Sequence, residues 1–311
     1  MRRLLYIIPT LIAASALTFI LAHYGPGDPL MELLQEAYWD EELRERVRHS
    51  LGLDRPFIVQ YGEFLGRLMQ GQLGYSILSG QRSINVMLAK AWPKSIQLGL
   101  VGMFFWFVSG TILGIIAARF HNRTIDYIIV STTVAVSTIP TFVLAPMLMI
   151  VFILKLGWIE SSIGWEGIFS QKIILPMMLI GFTGTAGLVR QWRSSILETI
   201  SQDYVRTARA KGLTERLIIV RHVLRNAFTP ILTITAASLG GFITGSIFVE
   251  QIFNIHGFGW LVWQGIIGLD YPVLMITTLF SAAIILFMNL VVDILYGVVD
   301  PRVRVGERAR R

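Results

Sequence analysis

The chain has 311 residues, of which 54% are hydrophobic and 15% are charged, and it contains no cysteine. This composition excludes an ordinary soluble domain and indicates an integral membrane protein, while the missing thiols exclude disulfides and thiolate metal sites. The net charge of +7 would suggest a nucleic acid partner in a soluble protein. Here the distribution of the cations matters more than their number, and we expect no nucleic acid partner.

Six stretches lack Asp, Glu, Lys and Arg for long enough to cross a hydrocarbon core of about 30 Å as helices. These stretches are residues 4–27, 95–118, 127–154, 173–189, 226–249 and 271–292. They predict an all-α integral membrane protein with six transmembrane helices. The first stretch is too long for a signal peptide and lacks a clean cleavage site, so residues 1–24 are predicted to be a retained anchor helix.

Lysine and arginine predict the orientation of these helices. With the N-terminus inside, the cytoplasmic segments contain 17 of these cations and the external segments contain 10. Eight of the external cations lie in one long segment together with nine acids. The positive-inside rule therefore places both termini in the cytoplasm, including a basic tail at residues 303–311. The protein is expected in the cytoplasmic (inner) membrane.

Residues 25–94 separate the first two spans and are too apolar for a random linker. They are predicted to form a folded extracytoplasmic insertion. Asp40 is a candidate N-cap for a helix that Gly52 ends, and Pro56 is placed to begin a second amphipathic helix. For most of this segment there are two alternative roles, which are contact with an external partner and packing on the helix bundle as a cap.

Prolines and glycines within the spans predict hinges or close helix contacts. Pro140 and Pro146 lie in the third span and Pro176 lies in the fourth, and each removes a helical hydrogen bond. Gly241 and Gly245 form a G-x-x-x-G pattern in the fifth span, which favours close approach of another helix. Ordinary membrane helices also contain such residues, so purely structural roles remain an alternative.

The longest polar interruption in the C-terminal half runs from residue 203 to residue 228. Ile196, Ile200, Tyr204 and Ala208 recur every fourth residue and predict one helix, which Gly212 ends. A second helix is predicted to follow at once. Its apolar stripe comprises Leu217, Val220, Val223, Leu224 and Phe228.

The start of this second helix has its own signals. Thr214 is a candidate N-cap, and Glu215 suits the positive end of the helix dipole. The opposite faces of the two helices are basic. Their cations are Arg206, Arg209, Lys211, Arg216, Arg221 and Arg225. The pattern predicts a compact knob with apolar residues for a partner's groove, and a topology-determining basic loop is the alternative.

Residues 203–213 (DYVRTARAKGL) resemble the coupling motif of the dipeptide, oligopeptide and nickel branch of bacterial ABC importer permeases. Of the general motif of such permeases, the chain keeps only Ala208, Gly212 and Leu224. Further stretches resemble the same branch, with His256 where the family usually has proline. They are residues 25–29 (GPGDP), 51–56 (LGLDRP), 71–76 (GQLGYS), 257–259 (GFG) and 300–302 (DPR).

The resemblance implies a type I ABC importer permease fold with a core at residues 95–302, in which residues 194–228 form the coupling helices. It implies a heterodimer with a second related permease, two cytoplasmic ABC ATPase subunits and an extracytoplasmic solute-binding protein. No cofactor is expected in this chain, because it has no phosphate-binding G-x-x-x-x-G-K-[ST] loop; ATP and Mg would be bound by the partner ATPases.

The resemblance also implies roles for individual residues. Those implied to couple to the ATPase are Asp203, Tyr204, Arg206, Ala208, Arg209, Ala210, Gly212, Leu213 and Glu215. Ala208 and Leu213 are expected in the ATPase groove, with Arg209 and Glu215 at its rim. Those implied to face the binding protein are Asp28, Asp54, Gly74, Ser76, Gly257 and Gly259.

The implied function is the import of dipeptides or oligopeptides, with nickel complexes, glutathione or oligosaccharides as alternatives in the same class. The chain is not expected to be an enzyme, since it has neither a G-x-S-x-G nor an H-E-x-x-H motif. Two other classes stay open. A secondary transporter would need an ion site at mid-membrane, where no span has a charged residue, and a membrane scaffold would lack a transport pathway.

Overall fold

The computed structural model describes residues 2–24, 29–50, 52–80 and 82–299. Over these ranges the regular secondary structure is helical, apart from one isolated antiparallel bridge between Tyr75 and Ser83. The α-helices are α1 (Arg2–Tyr24), α2 (Pro29–Leu34), α3 (Glu41–Ser50), α4 (Phe57–Met69), α5 (Ile84–Arg119), α6 (Thr124–Thr138), α7 (Thr141–Met149), α8 (Ile174–Ile200), α9 (Asp203–Ala210), α10 (Glu215–Leu217), α11 (Arg225–Ile243), α12 (Ile247–Ile252), α13 (Phe258–Ile267) and α14 (Tyr271–Val299). Short 3₁₀ and π-helical segments join them at Gln35–Trp39, Ile150–Lys155, Gln171–Ile173 and Ile218–Leu224.

Within the described ranges, five helices are long and apolar enough to cross a membrane. They are Ile7–Tyr24, Ile84–Arg119, Gln171–Ile200, Glu215–Ile243 and Tyr271–Val292. The second of these begins at Ile84, well before the predicted boundary at residue 95. The sequence placed the boundary too late because Lys90 and Lys94, which lie inside the helix, interrupt the uncharged stretch. A bent pair of helices would make a sixth span.

The bent pair occupies the predicted third span. Thr124–Thr138 and Thr141–Lys155 meet at an angle of 107°. Ile139 is extended, with φ −73° and ψ 124°, as the residue before a proline prefers, and Pro140 precedes the next helix. Pro146 lies inside α7, and a π-helical turn follows it. Pro176 lies in the first turn of α8, where its missing N–H removes no helical hydrogen bond.

The chain divides into two compact units. The first unit comprises Met1–Ser95 and His256–Phe287, and the second comprises Ile96–Ile255 and Met288–Arg311. In the first unit the residues of the predicted insertion share one apolar core with α13 and α14. Its buried members are Phe19, Phe64, Ile84, Leu88, Ala91, Phe258, Leu261, Val273, Ile276 and Leu279.

The two helices predicted inside the insertion are confirmed. The backbone N–H of Leu43 donates to Asp40 Oδ1 at 3.1 Å, which caps α3. Gly52 follows the helix with φ +68°, and the N–H of Leu53 bonds back to the carbonyl of Arg48 at 3.1 Å. This is the Schellman arrangement that a C-terminal glycine permits. Pro56 directly precedes α4, as predicted.

Glycines bring α5 and α8 together in the second unit. A Cβ added at Gly110 would lie 2.7 Å from Leu188 Cδ2, and one at Gly114 would lie 2.5 Å from Trp192 Cβ. From the other side, a Cβ at Gly181 would lie 2.3 Å from Phe105 Cδ1. Since the hydrophobic effect does not drive association between helices inside lipid, such close backbone approach is what holds them together.

Within the described part of this chain, no close helix contact forms at Gly241. No described heavy atom outside the local helix lies within 4 Å of a Cβ built on Gly241. Gly245 has φ +80° and follows the end of α11. The glycines of α5 and α8 make the close contacts that the G-x-x-x-G pattern was expected to make.

Gly99 offers the sharpest test of this packing. A Cβ there would lie 1.8 Å from the backbone oxygen of Phe242, so Gly99→Ala is expected to force α5 and α11 apart. We expect a lower melting temperature in detergent, by several degrees or more. Gly241→Ala, one residue from Phe242, is the matched control and should not lower the melting temperature. Equal melting temperatures for Gly99→Ala and the unmodified protein would contradict the packing.

Candidate functional site

The basic segment that follows α8 does not continue its helix. The sequence predicted one helix from Ile196 to Gly212, but α8 ends at Ile200 and α9 begins at Asp203. Gln202 between them is extended, with φ −71° and ψ 149°. Ser201 Oγ donates to the carbonyl of Glu198 at 2.8 Å. The prediction was wrong here because polar side chains of this kind compete for backbone hydrogen bonds and favour helix ends.

The turn at Gly212 is the most regular feature of this segment. Gly212 has φ +78° and its N–H bonds to the carbonyl of Arg209 at 2.9 Å. The N–H of Leu213 bonds to the carbonyl of Ala208 at 3.3 Å, which completes a Schellman motif. Leu213 and Ala208 pack in the same apolar cluster, the contact that usually accompanies this motif. Gly212 therefore ends α9 as predicted.

An ion pair spans the same turn. Arg209 Nε donates to Glu215 Oε1 at 2.7 Å, and Arg209 Nη2 donates to Oε2 at 3.4 Å. The hydrogen bond to Glu215 raises the pKa of Arg209 above its usual value. These two residues were expected at the rim of a partner, but they bind each other. Thr214 occupies the predicted N-cap position of α10, with extended backbone and without a side-chain capping bond.

We call residues 203–224 the knob, because one side of the segment is anchored in the second unit and the other is exposed. Val205, Ala208, Ile218 and Val223 are buried in a core cluster that includes Trp192 of α8. Ala208 was expected to pack in a partner's groove together with Leu213. It lies instead in the protein's own core, and Leu213 packs against that core, so this part of the prediction is corrected.

The apolar stripe predicted for the second helix is also corrected. Ile218–Leu224 is π-helical, and this wider turn places residues five apart on one face. Ile218 and Val223 are therefore buried together, whereas Leu217 is 40% exposed and Val220 is 59% exposed. Sequence analysis missed Ile218 because it assumed a period of 3.6 residues. The five-residue spacing of Ile218 and Val223 was the available signal.

The exposed side of the knob combines apolar residues with cations. Tyr204 is half-exposed, and its hydroxyl accepts a hydrogen bond from Asn226 Nδ2 at 3.0 Å. Asp203 lies 3.6 Å from Arg206, and both side chains are exposed. Ala210 is exposed as well. Further exposed cations are Lys211, Arg216 and Arg221, and the exposed Arg225 directly follows the knob. This surface can meet an apolar groove with an acidic rim.

A buried ion pair connects α8 with the start of α6. Arg193 Nε donates to Asp126 Oδ1 at 2.7 Å and Nη2 donates to Oδ2 at 2.7 Å, while Nη2 also lies 2.9 Å from His121 Nδ1. The backbone N–H of Asn122 donates to Asp126 at 3.0 Å, and Asp126 is only 1% exposed. Sequence analysis missed this pair. The one available signal was Asp126, an acid in the first turn of an apolar helix.

Three of the residues predicted to face a binding protein, Ser76, Gly257 and Gly259, are buried in the first unit. Ser76 is buried, and its Oγ donates to the buried carboxylate of Asp270 at 2.5 Å. Gly259 is buried inside α13 and Gly257 directly precedes that helix. The bond to Asp270 ties Ser76 into the first unit, and Ser76 and Gly259 are both buried in this chain, while their contact with a binding protein stays a prediction.

The remaining members of that set are Gly74, Asp54 and Asp28. Gly74 adopts φ +84° in the segment before Ser76. Asp54 is partly exposed, 3.7 Å from His49. Asp28 lies outside the described residues. Among the residues that the structure describes, no group of three or more His, Cys, Asp or Glu side chains is arranged to hold a metal ion.

Comparison with known proteins places this arrangement in a family. The model of "Binding-protein-dependent transport system inner membrane component" matches residues 110–305, and the model of the N-terminal part of such components matches residues 1–82. The chain belongs to this family. It is therefore a multi-pass inner-membrane permease of a binding-protein-dependent ABC importer, as the resemblance implied.

Two named relatives are similar in sequence to this chain along nearly its whole length. Oligopeptide transport system permease protein OppB of Haemophilus influenzae is 34% identical over 97% of this chain and 98% of its own length. Glutathione transport system permease protein GsiC of Escherichia coli O6:H1 is 37% identical over 97% of both chains. A chain from an inward-facing structure of the MetNI methionine ABC transporter has a TM-score of 0.57 at 17% identity, covering 69% of this chain and 96% of its own. This last likeness supports the permease fold.

Proposed function

We propose that this permease forms half of a peptide translocation pathway, paired with a second related permease in a heterodimer. The bent pair α6–α7 completes six spans, and both termini and the knob lie in the cytoplasm. Two ABC ATPases bind ATP and Mg below the knobs, and an extracytoplasmic binding protein delivers the substrate. The positive-inside distribution of lysine and arginine supports this orientation.

The observation that carries the proposal is the division of the knob into an anchored side and an exposed side. Val205, Ala208 and Ile218 join the knob to the core that contains α8 and α11. Because the core is close-packed, a displacement of the knob is passed to these helices instead of being absorbed. Closure of the ATPases on ATP would therefore move the spans between inward-open and outward-open states.

The structure changes which residues are assigned to the ATPase groove. Leu217 and Val220 take the role that was expected of Ala208 and Leu213, because they are the apolar residues left exposed. Gly212 and the Arg209–Glu215 ion pair set the direction in which the knob presents Leu217 and Val220.

A charged residue at this surface tests the assignment. Val220→Glu is expected to reduce co-purification of the ATPases and ATP-dependent uptake at least about tenfold, since binding would bury an unpaired carboxylate. Phe169→Glu is the matched control, because Phe169 is 98% exposed and lies outside the knob. Undiminished ATPase binding by Val220→Glu, with the control also normal, would refute the assignment.

The proposed substrates are dipeptides and oligopeptides. Glutathione is the second candidate, favoured by relatives named as glutathione permeases at 36–37% identity. Nickel complexes and oligosaccharides remain alternatives within the class. Uptake of a labelled oligopeptide into vesicles that contain the whole complex, with unlabelled glutathione as competitor, separates the first two. Full competition by glutathione at low concentration would favour the second candidate.

A further inference from the structure

Two adjoining cavities lie in the first unit. One is an apolar groove of about 490 Å³ between α1, α4 and α14. The other is a more polar chamber of about 300 Å³, lined in part by Arg67. Leu73 and Ile276 line both cavities, so one apolar wall continues from the groove into the chamber.

The positions of the lining residues relate the cavities to membrane depth. The chamber is lined by His23 near the end of α1 and by Tyr271 at the start of α14. The groove is lined by Ser15 and by Ala283, which is about 18 Å from Tyr271 along a helix that rises about 1.5 Å per residue. Because α1 and α14 are candidate membrane spans, we expect the chamber near the membrane surface and the groove towards the bilayer centre.

The walls of the groove are apolar almost throughout. Its one polar side chain, Ser15, is buried and lies 2.9 Å from the hydroxyl of Tyr61, within hydrogen-bond distance. Ile8, Ile12 and Met69 are exposed large hydrophobic residues along it. Such a wall favours a hydrocarbon chain over a hydrated ligand.

The chamber adds a cation that can bind an anion. Arg67 is exposed at the chamber, and within the described ranges no acid forms an ion pair with it and no group accepts a hydrogen bond from its guanidinium. Glu63 also lines the chamber, but its carboxylate is paired with Arg55. Its donors are therefore free, and a phosphate matches the planar guanidinium with two parallel hydrogen bonds.

We propose that the groove and the chamber together bind one membrane phospholipid. Its acyl chain lies in the groove along Leu73 and Ile276, and its phosphate meets Arg67. An apolar channel that opens on an unpaired cation at the membrane surface matches the two ends of such a lipid. In the orientation proposed above, this lipid belongs to the outer leaflet and fills the space between α4 and the spans α1 and α14.

The test uses the whole transporter complex in vesicles of phosphatidylethanolamine and phosphatidylglycerol. The probe is phosphatidylglycerol with a photoactivatable diazirine in one acyl chain, and cross-linked peptides are identified by mass spectrometry. We expect preferential labelling of α1, α4 and α14 along the groove. Arg67→Gln, which removes the phosphate partner, and Ala283→Phe, which fills the groove, should each reduce this labelling about tenfold. Arg46→Gln, at an exposed arginine of α3, is the matched control.

Three results would overturn the proposal. One is unchanged labelling in Ala283→Phe, which also serves as the deciding variant if Arg67→Gln does not fold. Another is labelling spread evenly over lipid-exposed residues such as Phe104 and Ile112, which would indicate annular lipid only. The third is labelling of the isolated chain but not of the complex, which would show that a partner subunit covers the groove.

Discussion

Gly212→Val is expected to abolish uptake while the protein remains in the membrane. Gly212 adopts φ +78°, a conformation that costs a residue with a Cβ about 1–2 kcal/mol and a β-branched residue more. No described heavy atom outside the local chain lies within 4 Å of an added Cβ, so the expected damage comes from the backbone and not from a clash. Without the Schellman motif, α9 frays and the Arg209–Glu215 pair loses its alignment.

The measurement is ATP-dependent peptide uptake by vesicles, with membrane content followed by immunoblot. Gly212→Asn is the matched control, since asparagine tolerates positive φ, and it should retain most of the uptake. Ala210→Val tests whether a larger side chain on the exposed surface is harmful by itself. Normal uptake by Gly212→Val would show that the angle of the turn is not used in coupling.

Arg193→Leu is expected to cause a large loss of stability. It would leave the buried carboxylate of Asp126 without its bidentate partner, and breaking a buried ion pair in this way typically costs about 3–5 kcal/mol. We expect a lower melting temperature of the detergent-solubilised protein and less protein in the membrane. Arg190→Leu is the matched control, because Arg190 is exposed on the same helix and forms no ion pair with a described acid.

A double variant separates the loss of charge pairing from loss of packing. Asp126→Leu combined with Arg193→Met removes the uncompensated charge, so it should recover part of the stability lost in Arg193→Leu. A double variant less stable than either single variant would mean that the hydrogen bonds to Asn122 and His121 matter more than the charge balance.

Several features of the fold were accessible from local patterns. Asp40 and Gly52 bound α3 because capping depends on the residue itself and on its immediate neighbours. Gly212 ended α9 for the same reason. The motif at residues 203–213 also identified the family, which the comparisons then confirmed.

The same patterns did not predict which side of the knob is buried and which side is exposed. A period of 3.6 residues placed Val220 and Val223 on one apolar stripe for a partner's groove and left Ile218 unnoticed, because π-helical geometry is not visible in α-helical spacing. Ala208 was expected to contact a partner, but α8 and α11 supply the apolar surface that buries it. Which side of an amphipathic segment faces inward depends on neighbours that are distant in sequence.

The sequence by itself determined that the chain is an apolar, helical membrane protein, where most of its spans lie and which transporter family it belongs to. These properties follow from composition, stretch length and short motifs. Only the tertiary structure decided that Arg193 pairs with Asp126, that Ser76 is held by Asp270, and that Gly110 and Gly114 pack against α8. Each of these contacts joins residues far apart in the chain, and close packing and the pairing of buried polar groups select among such contacts only once the helices are assembled.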